Sequence, residues 1–228
     1  MTITSTTLAR RLAGELLGSA FLAAIVIGSG IAAQRLSPGD VGLELLENAL
    51  VTGAGLYVLI LVFGPLSGAH FNPVVSLVNA ATGGMAWVTA VLYIPAQVIG
   101  CVLGALGANV MFSAPLVSIS THHRASGPHL FAEVVATAGL ILVIFALARN
   151  GHHAHTPAAV GAYITAAYFF TSSTSFANPA IAVGRIFSNT FAGIAPASVP
   201  GFVLAEVVGA GAALGLLLYL FPTTKEPS

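Results

Sequence analysis

Asn-Pro occurs twice in this chain, at Asn72-Pro73 and Asn178-Pro179, and each copy opens a short run of modest hydrophobicity. Each run holds about ten residues, too few to cross a membrane and too apolar for an ordinary loop. As a helix it would cover about 15 Å at 1.5 Å per residue, half of a hydrocarbon layer about 30 Å thick. Two such half-helices meeting end to end would complete one span. Few folds need that arrangement.

Composition supplies the solvent for it. Only 6% of residues are charged against 57% hydrophobic, and the mean hydropathy is +0.95, whereas soluble domains carry about 25% charged residues. The expected surroundings are lipid. Hydropathy and helix breakers predict spans near 12–34, 43–63, 87–112, 129–149, 157–172 and 199–221. The segment after Arg10-Arg11 resembles a signal peptide, but it is longer than a usual signal core and carries Glu15 in its first turn, so it is read as a retained helix. Zero net charge argues against a nucleic-acid partner. A lone cysteine, Cys101, excludes an intrachain disulfide and a thiolate metal cluster.

The two halves repeat. Glu15 opens the first span as Glu133 opens the fourth, and Asn72-Pro73 follows the second as Asn178-Pro179 follows the fifth. Ala96-Gln97-Val98-Ile99-Gly100 in the third matches Ala205-Glu206-Val207-Val208-Gly209 in the sixth. Three spans per half put the second copy in the membrane upside down, an inverted repeat. The expected architecture is a single all-α membrane domain over 1–228, with six transmembrane helices and two re-entrant half-helices. Its halves cover about 8–113 and 129–221. Arg10, Arg11, Arg149 and Lys225 fall on one side and Arg35, Arg124 and Arg185 on the other, which narrowly favours an inside N-terminus.

Asparagine caps a helix through its side-chain oxygen, and proline suits the next position. The Asn amide nitrogen is left free to donate. Two such donors at the midplane, with about half a positive charge from each helix end, would turn water oxygen-first and repel cations and protons. A single Asn-Pro would be read as the start of a surface helix; two at equivalent places point to a pore.

Ser67-Gly68-Ala69-His70-Phe71-Asn72-Pro73-Val74 and Ser175-Phe176-Ala177-Asn178-Pro179-Ala180 resemble the two signatures of the aquaporin (major intrinsic protein) superfamily. The resemblance spans essentially the whole chain and implies a passive channel for water and small uncharged solutes in the plasma or inner membrane. Four identical subunits are implied, each with its own pore. Val74 stands where alanine is usual, a change expected to need only local repacking. Glu15 and Glu133 are expensive at membrane depth and should face protein; the resemblance implies that they orient the re-entrant loops, and a proton-relay carboxylate is the alternative. By family spacing the selectivity filter falls on Thr52, Ala166, Ser175 and Ile181. That set lacks the histidine, aromatic and arginine of a water-selective member, and implies a wide, loosely selective opening for glycerol, urea and metalloid hydroxides. Thr52 with Ile181 resembles bacterial aquaporins encoded beside arsenic-resistance genes, which implies passage of arsenous acid and methylated arsenicals.

Arg185 lies one helical turn beyond Ile181. It would either return positive charge to the outer vestibule or bind backbone carbonyls or a neighbouring subunit. His70 is expected to hold the first loop by a structural hydrogen bond. His152, His153 and His155, and likewise His122, His123 and His129, are read as solvated loop residues. Gly14-x-x-x-Gly18, Gly100-x-x-x-Gly104 and Gly211-x-x-x-Gly215 are small-residue faces for helix crossing. An ion- or proton-coupled transporter would need ionisable groups at the midplane, where paired amides stand instead. No nucleophile–base pair, metal-ligand set or phosphate loop suggests an enzyme or a cofactor. A strict water channel is disfavoured only by the filter.

Overall fold

A computed structural model describes residues 7–222, so Lys225 lies outside the described residues. Eight α-helices follow one another: α1 Leu8–Leu36, α2 Val41–Ser67, α3 Pro73–Ala81, α4 Trp87–Met111, α5 Gly127–Arg149, α6 Thr156–Phe170, α7 Pro179–Gly184 and α8 Val199–Leu220. Side-chain oxygens of Thr7, Asp40, Asn72, Ser126 and Asn178 cap five of them, each satisfying an N–H that a helix end leaves without a partner.

Five helices (α1, α2, α4, α5 and α8) are long and apolar enough to cross a bilayer. The fifth expected span is shorter: α6 has 15 residues, or about 22 Å at 1.5 Å per residue. It is preceded by a 3₁₀ turn, His153–His155. The half-helices are also unequal. α3 holds 9 residues, and α7 holds 6 before tightening into the 3₁₀ turn Arg185–Phe187.

The pairings recur between halves. α1 packs on α4 as α5 packs on α8, and each half-helix touches both α4 and α8 or their partners across the centre. Gly100 and Gly104 let α4 approach α1 until their absent Cβ atoms would lie 2.3 Å from Leu16 O and 2.1 Å from Ala20 O. On α1, Gly18 makes room for the Phe71 ring. Gly211 and Gly215 do not behave as expected: added Cβ atoms would meet nothing within 4 Å, because they lie on an outward face of α8. An unanticipated pair, Gly53 and Gly161, forms the α2–α6 crossing, with a Cβ on Gly53 only 2.7 Å from Gly161 O.

Apolar residues cover both inside and outside. Leu22, Ile27, Phe71, Phe176 and Phe202 belong to one buried cluster, while Phe21, Val58, Val62, Leu103 and Leu204 are more than half exposed. Such an outer surface is compatible with lipid and not with water. Arg11 and Arg149 sit at one end, bound to Tyr93 and to the last carbonyls of α8. Arg35 and Arg124 sit at the other, bound to carbonyls of Phe112 and Gly193.

Candidate functional site: a pore built on two facing Asn-Pro turns

The half-helices meet N-terminus to N-terminus. Asn72 Oδ1 accepts from Val74 N at 3.1 Å, and Asn178 Oδ1 accepts from Ala180 N at 3.0 Å and Ile181 N at 3.3 Å. The amide nitrogens are only half as free as expected. Asn72 Nδ2 donates to Ala177 O at 2.7 Å, and Asn178 Nδ2 donates to Phe71 O at 2.8 Å. Each turn is thereby stapled to the other. An amide carries two N–H groups, so one donor per asparagine remains.

The residues before each asparagine alternate in handedness. Ala69 and Phe71 have φ near +50°, and so do Ser175 and Ala177 (+50° and +47°). For a residue with a side chain this region costs roughly 1–2 kcal/mol, so something must hold it. Glu15 does so in the first loop, accepting from His70 N at 3.0 Å and Phe71 N at 2.7 Å. Glu133 does so in the second, accepting from Phe176 N at 2.9 Å and Ala177 N at 2.7 Å. Both carboxyl groups are fully buried and off the cavity wall. His70 bonds Ser76 through Nδ1 (2.9 Å) and Asn79 through Nε2 (3.1 Å), a hold within the loop and its half-helix. Pro73 and Pro179 occupy the first helical turns, and Val74 packs with Ile141 and Ala213.

One cavity of about 920 Å³ touches both asparagines and reaches from Arg149 and His153 at one end to Tyr168 and Arg185 at the other. His153, read from sequence as a solvated loop residue, is exposed but borders that mouth. Thr52, Ser175 and Ile181 line the cavity, and the Ser175 hydroxyl is buried without a protein partner. Ala166 does not join them. It is exposed on the outward face of α6, and Tyr168 stands on the wall instead, its hydroxyl 3.2 Å from Thr52 Oγ1. Spacing counted back from Asn178 places Ala166 on the wall, but the rotation of α6 about its own axis turns that position outward. Periodicity along α6 carries the better signal, because the lining residues Pro157, Val160, Ile164 and Tyr168 recur every three or four positions.

Arg185 is buried to 2% exposure and still borders the cavity. Its Nε donates to Ala192 O, and its guanidinium stacks 3.5 Å from the Phe176 ring centroid. Arg185 therefore ties down a loop carbonyl and also borders one end of the cavity. Arg124 braces the same loop through Gly193 O and Phe191 O, both at 2.9 Å. Outside the spans, His122 is held below the usual histidine range by partial burial and by the neighbouring Arg124 charge. Among the described residues no group of three or more His, Cys, Asp or Glu is placed to hold a metal ion.

A buried passage lined by apolar walls, closed at its middle by two facing amides and wrapped by lipid-compatible helices, defines a multi-pass membrane channel. The chain belongs to the major intrinsic protein family, the aquaporins and aquaglyceroporins, whose pattern it matches over residues 2–177. It is 48% identical to aquaglyceroporin AqpS of Rhizobium meliloti over 218 residues, which cover 96% of this chain and 93% of that one. It is 31% identical to the lens fiber major intrinsic protein of Bos taurus, over 96% of this chain and 84% of the relative. The crystal structure of the aquaglyceroporin from Plasmodium falciparum superposes with a TM-score of 0.72 at 20% identity, covering 92% of this chain and 96% of that one, and it shares the fold. The chain is thus a channel for water or small neutral solutes.

Proposed function

We propose that the pore passes neutral solutes larger than water, with glycerol and urea as representatives and metalloid hydroxides such as arsenous acid within its range. The observation that carries this reading is Ile181, an apolar side chain on the cavity wall one turn from the Arg185 guanidinium. Selectivity against bulky solutes needs placed polar groups or clashes, and the wall offers the Ser175 and Thr52 hydroxyls, the Tyr168 ring and the stacked Arg185. The name of the Rhizobium meliloti relative, an aquaglyceroporin, supports the same class of cargo. The asparagines, the four wall positions and the two loop-holding glutamates are assigned to conduction on this basis. Assembly as a homotetramer in the inner or plasma membrane accompanies the reading, and cross-linking in native membranes checks it.

Stopped-flow light scattering on proteoliposomes shocked with glycerol tests the cargo. Fast shrinkage followed by protein-dependent reswelling is expected. Shrinkage without reswelling supports the second reading, a strict water channel, which Tyr168 and Arg185 on the wall favour. Two variants check the revised wall. Tyr168→Trp adds bulk inside the cavity and should slow glycerol by about tenfold, the scale of a pocket clash. Ala166→Trp adds the same bulk on the outward face and should leave glycerol entry unchanged. The reverse pattern would restore the assignment drawn from spacing.

A further inference from the structure

The two halves hold their loops with different chemistry. In the first half Gln97 donates through Nε2 to Glu15 Oε2 at 2.8 Å and to Ser76 Oγ at 3.0 Å. Its repeat equivalent in the second half is Glu206, a carboxylic acid with no exposure at all. Glu206 Oε1 accepts from Asn178 N at 2.9 Å. Its Oε2 is buried with no donor to satisfy it, and the carboxyl stands beside that of Glu133, because the two accept from the consecutive amides of Phe176, Ala177 and Asn178. Both oxygens of Glu133 are already accepting, from Phe176 N and Ala177 N. The place that an amide N–H fills in the first half is therefore filled in the second by an oxygen facing a carboxylate.

Two ionised carboxylates cannot share a buried site at contact distance. One proton resolves the arrangement. We infer that Glu206 is kept as the neutral acid, donating its Oε2 proton to the Glu133 carboxylate, and that this shared proton positions the second Asn-Pro turn. Glu206 acts as a positioning residue: its other oxygen holds the amide of Asn178, and the proton lets Glu133 keep its charge and its grip on Phe176 and Ala177. The first loop needs no proton, since Gln97 donates at any pH.

The surroundings supply few competing charges. α8 packs against α5, α3 and α7. α5 brings Glu133, with His129 near its start and Arg149 at its far end bound to the last carbonyls of α8; α3 carries no ionisable residue, and Arg185 in the turn after α7 and Arg124 are the cations whose charge acts on Glu133. On α8 itself Tyr219 is the only other titratable side chain, at its exposed end. Loss of the proton to bulk would leave two carboxylates facing one another and the second loop without its restraint. The expected consequence is a pore that fails under alkaline conditions from its second half.

Infrared difference spectroscopy on the full channel in lipid reads the proton directly, with no dependence on which solute is carried. Wild type should show the carbonyl stretch of a protonated carboxylic acid at neutral pH, downshifted in D₂O, and Glu206→Gln should abolish it. The inference is overturned if wild type and Glu206→Gln share the same spectrum in that region. Water permeability in proteoliposomes supplies the second readout. Glu206→Leu should lose about tenfold or more, the scale of one buried hydrogen bond left unmade, and the conservative Glu206→Gln should rescue it. Wild type should lose permeability as the acid band titrates away at high pH, while Glu206→Gln stays flat. Equal alkaline profiles in the two proteins would also overturn the shared proton, leaving the channel reading untouched.

Discussion

Glu15→Leu removes conduction. The carboxylate accepts four hydrogen bonds, from Ser67 Oγ at 2.6 Å, His70 N at 3.0 Å, Phe71 N at 2.7 Å and Gln97 Nε2 at 2.8 Å. Hydrogen bonds to a charged group contribute about 1.5–3 kcal/mol each, and orphaned buried donors cost about 1–3 kcal/mol. Leucine fills the space and satisfies none of them. The loop would then lose its two backbone anchors at His70 N and Phe71 N, which hold Phe71 at φ near +50°, and relaxation of Phe71 moves the carbonyl that accepts from Asn178. Proteoliposome water permeability at the empty-liposome level is the expected result, with a lowered melting temperature in detergent. Glu15→Gln retains one strong acceptor and should keep part of the activity. A Glu15→Leu channel conducting at the wild-type rate would show that the loop holds itself.

The second large effect concerns assembly. Gly104→Leu should prevent folding, because its Cβ would lie 2.1 Å from Ala20 O and 2.9 Å from Ala23 Cβ. The first contact is backbone, so no rotamer change relieves it. Overpacking a core commonly costs about 1–3 kcal/mol, and here two helices must separate along their length, so the cost exceeds that range. The measurement is the yield of monodisperse protein by fluorescence-detected size exclusion. Gly211→Leu is the matched control, since a Cβ there meets nothing within 4 Å, and it should behave as wild type. Equal yields from both variants would mean that α1 and α4 part without penalty.

Features carried by residue type and repeated in both halves were legible without coordinates. The paired Asn-Pro turns, the glutamates opening two spans and the half-length helices all belong to that group. Their chemistry is local: a cap, a proline at the first turn, a carboxylate that must find donors in lipid. Features that depend on how far one element slides past another were not legible. Counting back from Asn178 selects Ala166, but the rotation of α6 about its axis turns it outward and brings Tyr168 in. The staple between the asparagines and the opposite loops was hidden because it joins residues more than a hundred positions apart. Glu206 was visible as the repeat partner of Gln97, but the acid-for-amide exchange gains meaning only once both carboxyl groups share a site. Gly211 and Gly215 show the converse error: the motif is local, but whether a helix lies against it is not.

The staple also orders events in time. Asn72 waits for Ala177 and the Phe71 carbonyl waits for Asn178, partners separated by 105 and 107 residues. A ribosome finishing the first half has made a half-helix whose capping amide has nowhere to donate, in a segment too short to span the bilayer. The six long and medium helices can enter the membrane one after another, but the conduit closes only when the second half arrives and each turn takes hold of the other. Permeability is therefore the last property this chain acquires as it is made.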